Sequence, residues 1–256
     1  VHSAVLNAHM YFSKRFVCGA ELAALEKDIR VFSEVIADYN QEASQSIIPF
    51  RQAALNLMGC SSNPVILTGD AMVQEEFFVE KQKQPFALCM AYIAGSWLAY
   101  IFGDYKLALD LTNKRRDIET AMLRKSEFCG TMAFFDGLIF LASARERKDT
   151  QLMNSSGEVI TKMKEYLQFQ VCNIEHKLLL LEAETASLVG ETNVAIQSYD
   201  KAIAISGKSG LVNEQAIANE RAGDFFLAQG NTQRAAQYYG KAHDLYLKWG
   251  AMCKAS

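Results

Sequence analysis

The chain has 256 residues, half of them hydrophobic, with only 3 prolines and a formal net charge of −3. That composition supplies a core and leaves room for long, uninterrupted helices. Basic residues are scattered, with Lys114-Arg115-Arg116 the densest cluster, so the basic stripe that a nucleic-acid partner requires is missing and no such partner is expected.

Taken in chain order, the first predicted helix covers 3–17 and is substantially apolar. Over 20–42, Leu22, Leu25, Ile29, Phe32, Val35, Ile36 and Tyr39 recur at three- and four-residue steps with charged residues between them, the pattern of an amphipathic helix. A helix over 46–59 ends at Ser61-Ser62-Asn63-Pro64 and Thr68-Gly69-Asp70, loop signals that offer a sub-boundary at 61–70. Helices over 70–83 and 86–102 follow. The second carries no charge over 17 positions, near the lower limit for crossing a membrane. Its Ala, Gly, Ser and Tyr content, between Pro85 and Gly103-Asp104, reads instead as a buried helix, and no membrane span is expected. The remaining helices are predicted over 104–122, 126–147, 150–168, 171–189, 191–206, 211–229 and 231–249. No strand-like alternation of useful length appears. About twelve helices joined by short turns should pack antiparallel to their neighbours.

Four of the turns recur. Gly103-Asp104, Lys148-Asp149, Gly190-Glu191 and Gly230-Asn231 are separated by steps of 45, 42 and 40 residues, within the range of a solenoid repeat. In the last unit Ala222-Gly223, Phe226, Gly230, Ala235, Tyr239 and Ala242 sit where paired helices must approach, and Ala183, Ala186, Gly190, Ala195, Tyr199 and Ala202 repeat the pattern. These residues resemble tetratricopeptide (TPR) units, although the steps exceed the roughly 34 residues of that repeat. The unit at 103 shares the marks up to Ala108, then Thr112 and Arg115 break them, and Met153 and Gly157 break the unit at 148. The expected fold is all-α: a single domain over 1–256, an α-solenoid of about six antiparallel hairpins in a right-handed superhelix.

Little here points to chemistry. Gly207-Lys208-Ser209 mimics the end of a phosphate-binding loop, but Ala202 stands where that loop needs its first glycine, and the preceding segment reads as helix. His2, His9, His176 and His243 form no HExxH motif. Glu75, Glu76 and Glu80 read as a solvated face, and Glu182 and Glu184 point to different sides of a helix. The pairs Phe77-Phe78, Phe134-Phe135, Phe225-Phe226 and Tyr238-Tyr239 read as core. The six cysteines lie at least 29 positions apart with no CxxC, which points to a reduced, cytoplasmic setting. No catalytic residue, metal or cofactor is expected. The chain opens on Val1 without a leader pattern, and is read as a piece of a longer protein.

In TPR-like arrays the first helix of each pair lines a groove. That alignment implies a groove wall of Trp97, Tyr100, Arg145, Lys177, Glu184, Glu220 and Asp224, suited to a peptide or a neighbouring domain. The C-terminal stretch carries a more particular likeness. Asn219-Glu220, Phe225-Phe226, Gly230, Ala235 and the closing Tyr246-Leu247-Lys248-Trp249-Gly250-Ala251 with Lys254 resemble the helical region that follows the ATPase domain of large multi-sensor signalling kinases. Pro49-Phe50-Arg51-Gln52, Leu55 to Gly59 and Phe102 to Tyr105 share that likeness. The resemblance implies an AAA- or STAND-type ATPase upstream and a histidine kinase or cyclase downstream. Between them would lie this non-catalytic array, acting as a relay through protein domains in cis. A free-standing TPR-like adaptor for a peptide or partner protein is the alternative. The apolar first helix and the aromatic last one lack polar caps, which favours covalent neighbours and leaves homo-oligomers open.

Overall fold

The computed structural model describes residues 2–36, 45–122, 129–169 and 171–256; Tyr39 and the predicted helical residues at 37–42 and 126–128 lie outside them. Among the described residues every regular element is a helix: α1 (His2–Val17), α2 (Leu22–Ile36), α3 (Ile48–Met58), α4 (Gln74–Glu80), α5 (Pro85–Ile101), α6 (Tyr105–Met122), α7 (Cys129–Arg147), α8 (Thr150–Gln168), α9 (Glu175–Val189), α10 (Thr192–Lys208), α11 (Val212–Ala228), α12 (Thr232–Trp249) and α13 (Met252–Ala255). The fold is all-α and solenoid-like, with helices packed as consecutive neighbours. Contacts group the chain into two compact units, Val1–Lys125 with Leu247–Ser256, and Ser126–Tyr246. The loop at 61–70 falls inside the first.

In the first unit α1 packs on α2, α2 on α3, α3 on α5 and α5 on α6, while α13 packs on α3. Helix α5 is apolar around its circumference and buried on all sides, as a helix without a polar face must be. Pro85 starts it, its missing N–H costing nothing in the first turn. Helix α3 carries two polar residues on its buried face, one turn apart, and they hold the long loop that follows. The Asn56 amide donates to the carbonyls of Asn63, Pro64 and Ile66 and accepts from Gln52 Nε2. Gln52 Oε1 accepts the backbone N–H of Ala71 and Met72, and Thr68 Oγ1 accepts that of Gln74. With those donors taken, residues 70–73 do not join a helix, and α4 is shorter than the predicted 70–83.

In the second unit α7 pairs with α8 and α9 with α10; α9 also packs on α7, and α10 on α11. The ring of Phe226 on α11 stacks on Tyr238 of α12. The recurring turns work as stop-and-start signals. Gly190 and Gly230 end their helices with left-handed backbone, at φ +82° and +76°. Asp149 and Asn231 then cap the next helix, accepting the N–H groups of Gln151 and Arg234. Gly223 lets α12 approach: a Cβ there would meet the Tyr239 ring at 2.7 Å. Asn173, at φ +58°, turns the chain before α9, which therefore starts at 175 and not at the expected 171. Gly207 and Lys208 are the last residues of α10 and Ser209 its C-cap, so the phosphate-loop mimic is a helix C-terminus.

Candidate functional site

In the second unit a row of bonded polar residues lies on the first helices of the hairpins. Arg145 on α7 donates to Glu184 on α9 at 2.8 Å and to Ser187 Oγ at 3.4 Å. Glu184 also accepts the hydroxyl of Tyr199, from α10, at 2.6 Å. Burial, and then the Glu184 charge, push the Tyr199 hydroxyl well above its ordinary pKa. Burial alone would lower the pKa of Arg145, but Glu184 more than offsets it and holds the guanidinium in its charged form.

The next hairpin repeats the arrangement. Asp224 on α11 accepts the Tyr239 hydroxyl at 2.6 Å and pairs with Arg221. Burial raises the Asp224 carboxyl above its usual range, with Arg221 opposing. One turn back, Glu220 accepts from Tyr246 at 2.6 Å. The acid–tyrosine pairs Glu184/Tyr199 and Asp224/Tyr239 have one separation of 15 residues, and each sits six before and nine after its turn glycine. Counted from Gly103 and Lys148, those places hold Trp97/Thr112 and Ala142/Gly157. The pair is thus confined to the two units with the best TPR-like marks.

Behind this row lies a buried charged triad. Glu214, in the first turn of α11, accepts Lys177 Nζ at 2.6 Å and contacts His176 Nε2, both from the first turn of α9. Lys177 also lies over the Phe134 ring of α7, 5.7 Å from its centroid. Burial pushes the Glu214 carboxyl up, but Lys177 and His176 outweigh it and hold the group below the usual carboxylate range. The side chains are 2–4% exposed; His176 Nε2 lies 3.4 Å from Lys177 Nζ, and His176 Nδ1 meets no partner.

The seven residues expected on one wall divide. Trp97 and Tyr100 belong to the first unit and are buried in its core, Trp97 stacked on Phe16 and against Phe50, Tyr100 against Tyr105. Lys177 is buried in the triad. Arg145, Glu184, Glu220 and Asp224 do lie on first helices of the second unit, linked to tyrosines or to one another. Sequence reasoning missed His176, Glu214, Arg221 and the tyrosine partners. The signal for Tyr199 and Tyr239 was present in the repeated interval to the preceding acid.

Among the described residues no group of three His, Cys, Asp or Glu side chains could hold a metal ion. None of the described helices is long and apolar enough to cross a membrane. Among the described residues the fold is all-helical and solenoid-like, and in the second unit the first helices of the hairpins carry a charged row braced by tyrosines. No family model, curated protein or solved structure matches the chain.

Proposed function

We propose that this chain is a non-catalytic, cytoplasmic relay within a large signal-transduction ATPase or kinase, passing conformational state between protein domains in cis. The observation that supports this is the polar grip of each hairpin on the next in the second unit. Arg145–Glu184 joins the first hairpin to the second, and Lys177–Glu214 and Asp200–Tyr238 join the second to the third. In a repeat array each unit touches only its neighbours, so contacts that fix one hairpin on the next are the route by which displacement travels. The resemblance of residues 219–255 to the helical region of multi-sensor kinases supplies the context.

The test is the coding sequence on either side of this segment. An upstream strand followed by GxxxxGK[ST], with a downstream kinase or cyclase motif, fits the relay. In that protein, removing residues 211–256 should uncouple ATP binding from output; output control that survives the deletion refutes it. Stop signals close to both ends would refute it too, in favour of a free-standing adaptor. One observation favours that second reading: the side chains of Arg145 and Asp224 are 38% and 41% exposed, on first helices where a peptide could reach them.

A further inference from the structure

The last residues of the chain are seated on its first three helices. Trp249 is buried, with its ring 6.2 Å from Phe16, which in turn touches Phe50 and Trp97. Gly250, at φ +92°, lies on the N-terminal turn of α2: a Cβ there would come 3.2 Å from Glu21 Oε1 and 3.4 Å from Leu22 Cβ. Glu21 is the cap of that turn, accepting the N–H groups of Ala23 and Ala24. Ala251 is fully buried, Cys253 lies against Gly59 at the end of α3, and α13 packs along α3.

Two features bear on how this segment is held. Its backbone N–H groups at Gly250, Met252, Lys254, Ala255 and Ser256 bond to Leu247, Gly250, Ala251 and Met252, so they stay satisfied if the segment leaves. The Trp249 indole N–H, by contrast, is buried with no acceptor and regains one in water. The seat is therefore held by shape and apolar area, against an unsatisfied donor at its centre.

We infer that residues 249–256 form a reversible clasp, with Trp249 seated on Phe16 of the aromatic cluster that Phe16 makes with Phe50 and Trp97, and Gly250 fitted to the first turn of α2. The occupant is this chain's own segment, and unclasping loosens α1–α3 while α9–α11 stay folded. This holds whether or not the chain is a relay.

Hydrogen exchange tests it on three proteins: the intact chain, full-length Gly250→Ala, and a chain ended after Lys248. The shortened chain should keep its helical circular dichroism and its protection in α9–α11, while α1–α3 amides exchange at least tenfold faster. A synthetic peptide of residues 249–256 should restore protection, and the same peptide with Trp249→Ala should not. Gly250→Ala, which keeps every atom of the indole, should accelerate the same amides to a smaller degree. The inference is overturned if the shortened chain loses the helices of the first unit outright, or if α1–α3 protection is unchanged in both variants. It is also overturned if the intact chain sediments as a dimer that exchanges the segment between copies.

Discussion

Replacing Glu214 by Leu removes the only carboxylate of the buried triad and leaves Lys177 without its ion-pair partner. The Lys177 Nζ–Glu214 Oε2 distance is 2.6 Å, and the two side chains are 4% and 2% exposed. At an effective dielectric of about 20, charges at that separation attract by roughly 6 kcal/mol, most of it opposed by the desolvation of both ions. Removing one partner keeps the desolvation of the other and loses the attraction, so Glu214→Leu should cost the second unit about 3–5 kcal/mol. Lys177→Met in the same chain removes the stranded charge, and the double variant should return to within about 1 kcal/mol of the parent. The probe matters. Both tryptophans, Trp97 and Trp249, lie in the first unit, so tryptophan fluorescence is blind to this change. Hydrogen exchange of α9 and α11 amides in urea reads it directly. A cost under about 1 kcal/mol for Glu214→Leu, or a double variant no better than the worse single one, would refute the account of the triad. Acid gives the same answer by another route. The folded Glu214 carboxyl lies below its ordinary value of 4.5, so its contribution is complete above that pH and is lost as pH falls below it towards the folded value.

The other expectations concern packing, a loop and a second titration. Gly223→Ala places a methyl 2.7 Å from the Tyr239 ring, which must shift from its bond to Asp224; a loss of about 1–3 kcal/mol in the second unit is expected by urea titration. Asn56→Ala strands three loop carbonyls and should open residues 59–73 to proteolysis, with cleavage mapped by mass spectrometry. Burial lowers the His9 imidazole from 6.5 to about 4, so folding excludes a proton that the unfolded chain would bind. Stability of the first unit should then be full above pH 6.5 and fall by up to about 3 kcal/mol as pH drops towards 4. His9→Phe should flatten that slope, followed by tryptophan fluorescence.

Helix positions were legible because periodicity and turn residues act locally. Gly190 and Gly230 ended helices where their sequence context said they would. What the sequence concealed was direction. In α5 no residue is charged and its one serine, Ser96, is buried, so charge marks no outward face, and Trp97 and Tyr100 turned into the core. The sequence places Lys177 on a groove wall, shows His176 only as a histidine outside any metal motif and gives Glu214 no signal, since their partners lie 37 and 38 residues away. Residues 70–73 read as helix because nothing nearby revealed that Gln52, 19 residues upstream, would take the N–H of Ala71. The acid–tyrosine interval could have been found, had the two best units been compared position by position.

The place of residues 247–256 has a consequence for biosynthesis. They belong to the same unit as the first 125 residues, so everything between is an insertion in that unit's sequence. On the ribosome the inserted unit is fully made while the first still lacks its last piece. Phe16 must then wait for Trp249, more than two hundred residues later, with its aromatic neighbourhood open to solvent. Such delayed, long-range closure is slow and exposes sticky surface. Nascent chains stalled before residue 247 should therefore be the form that chaperones retain longest, and the form most prone to aggregate.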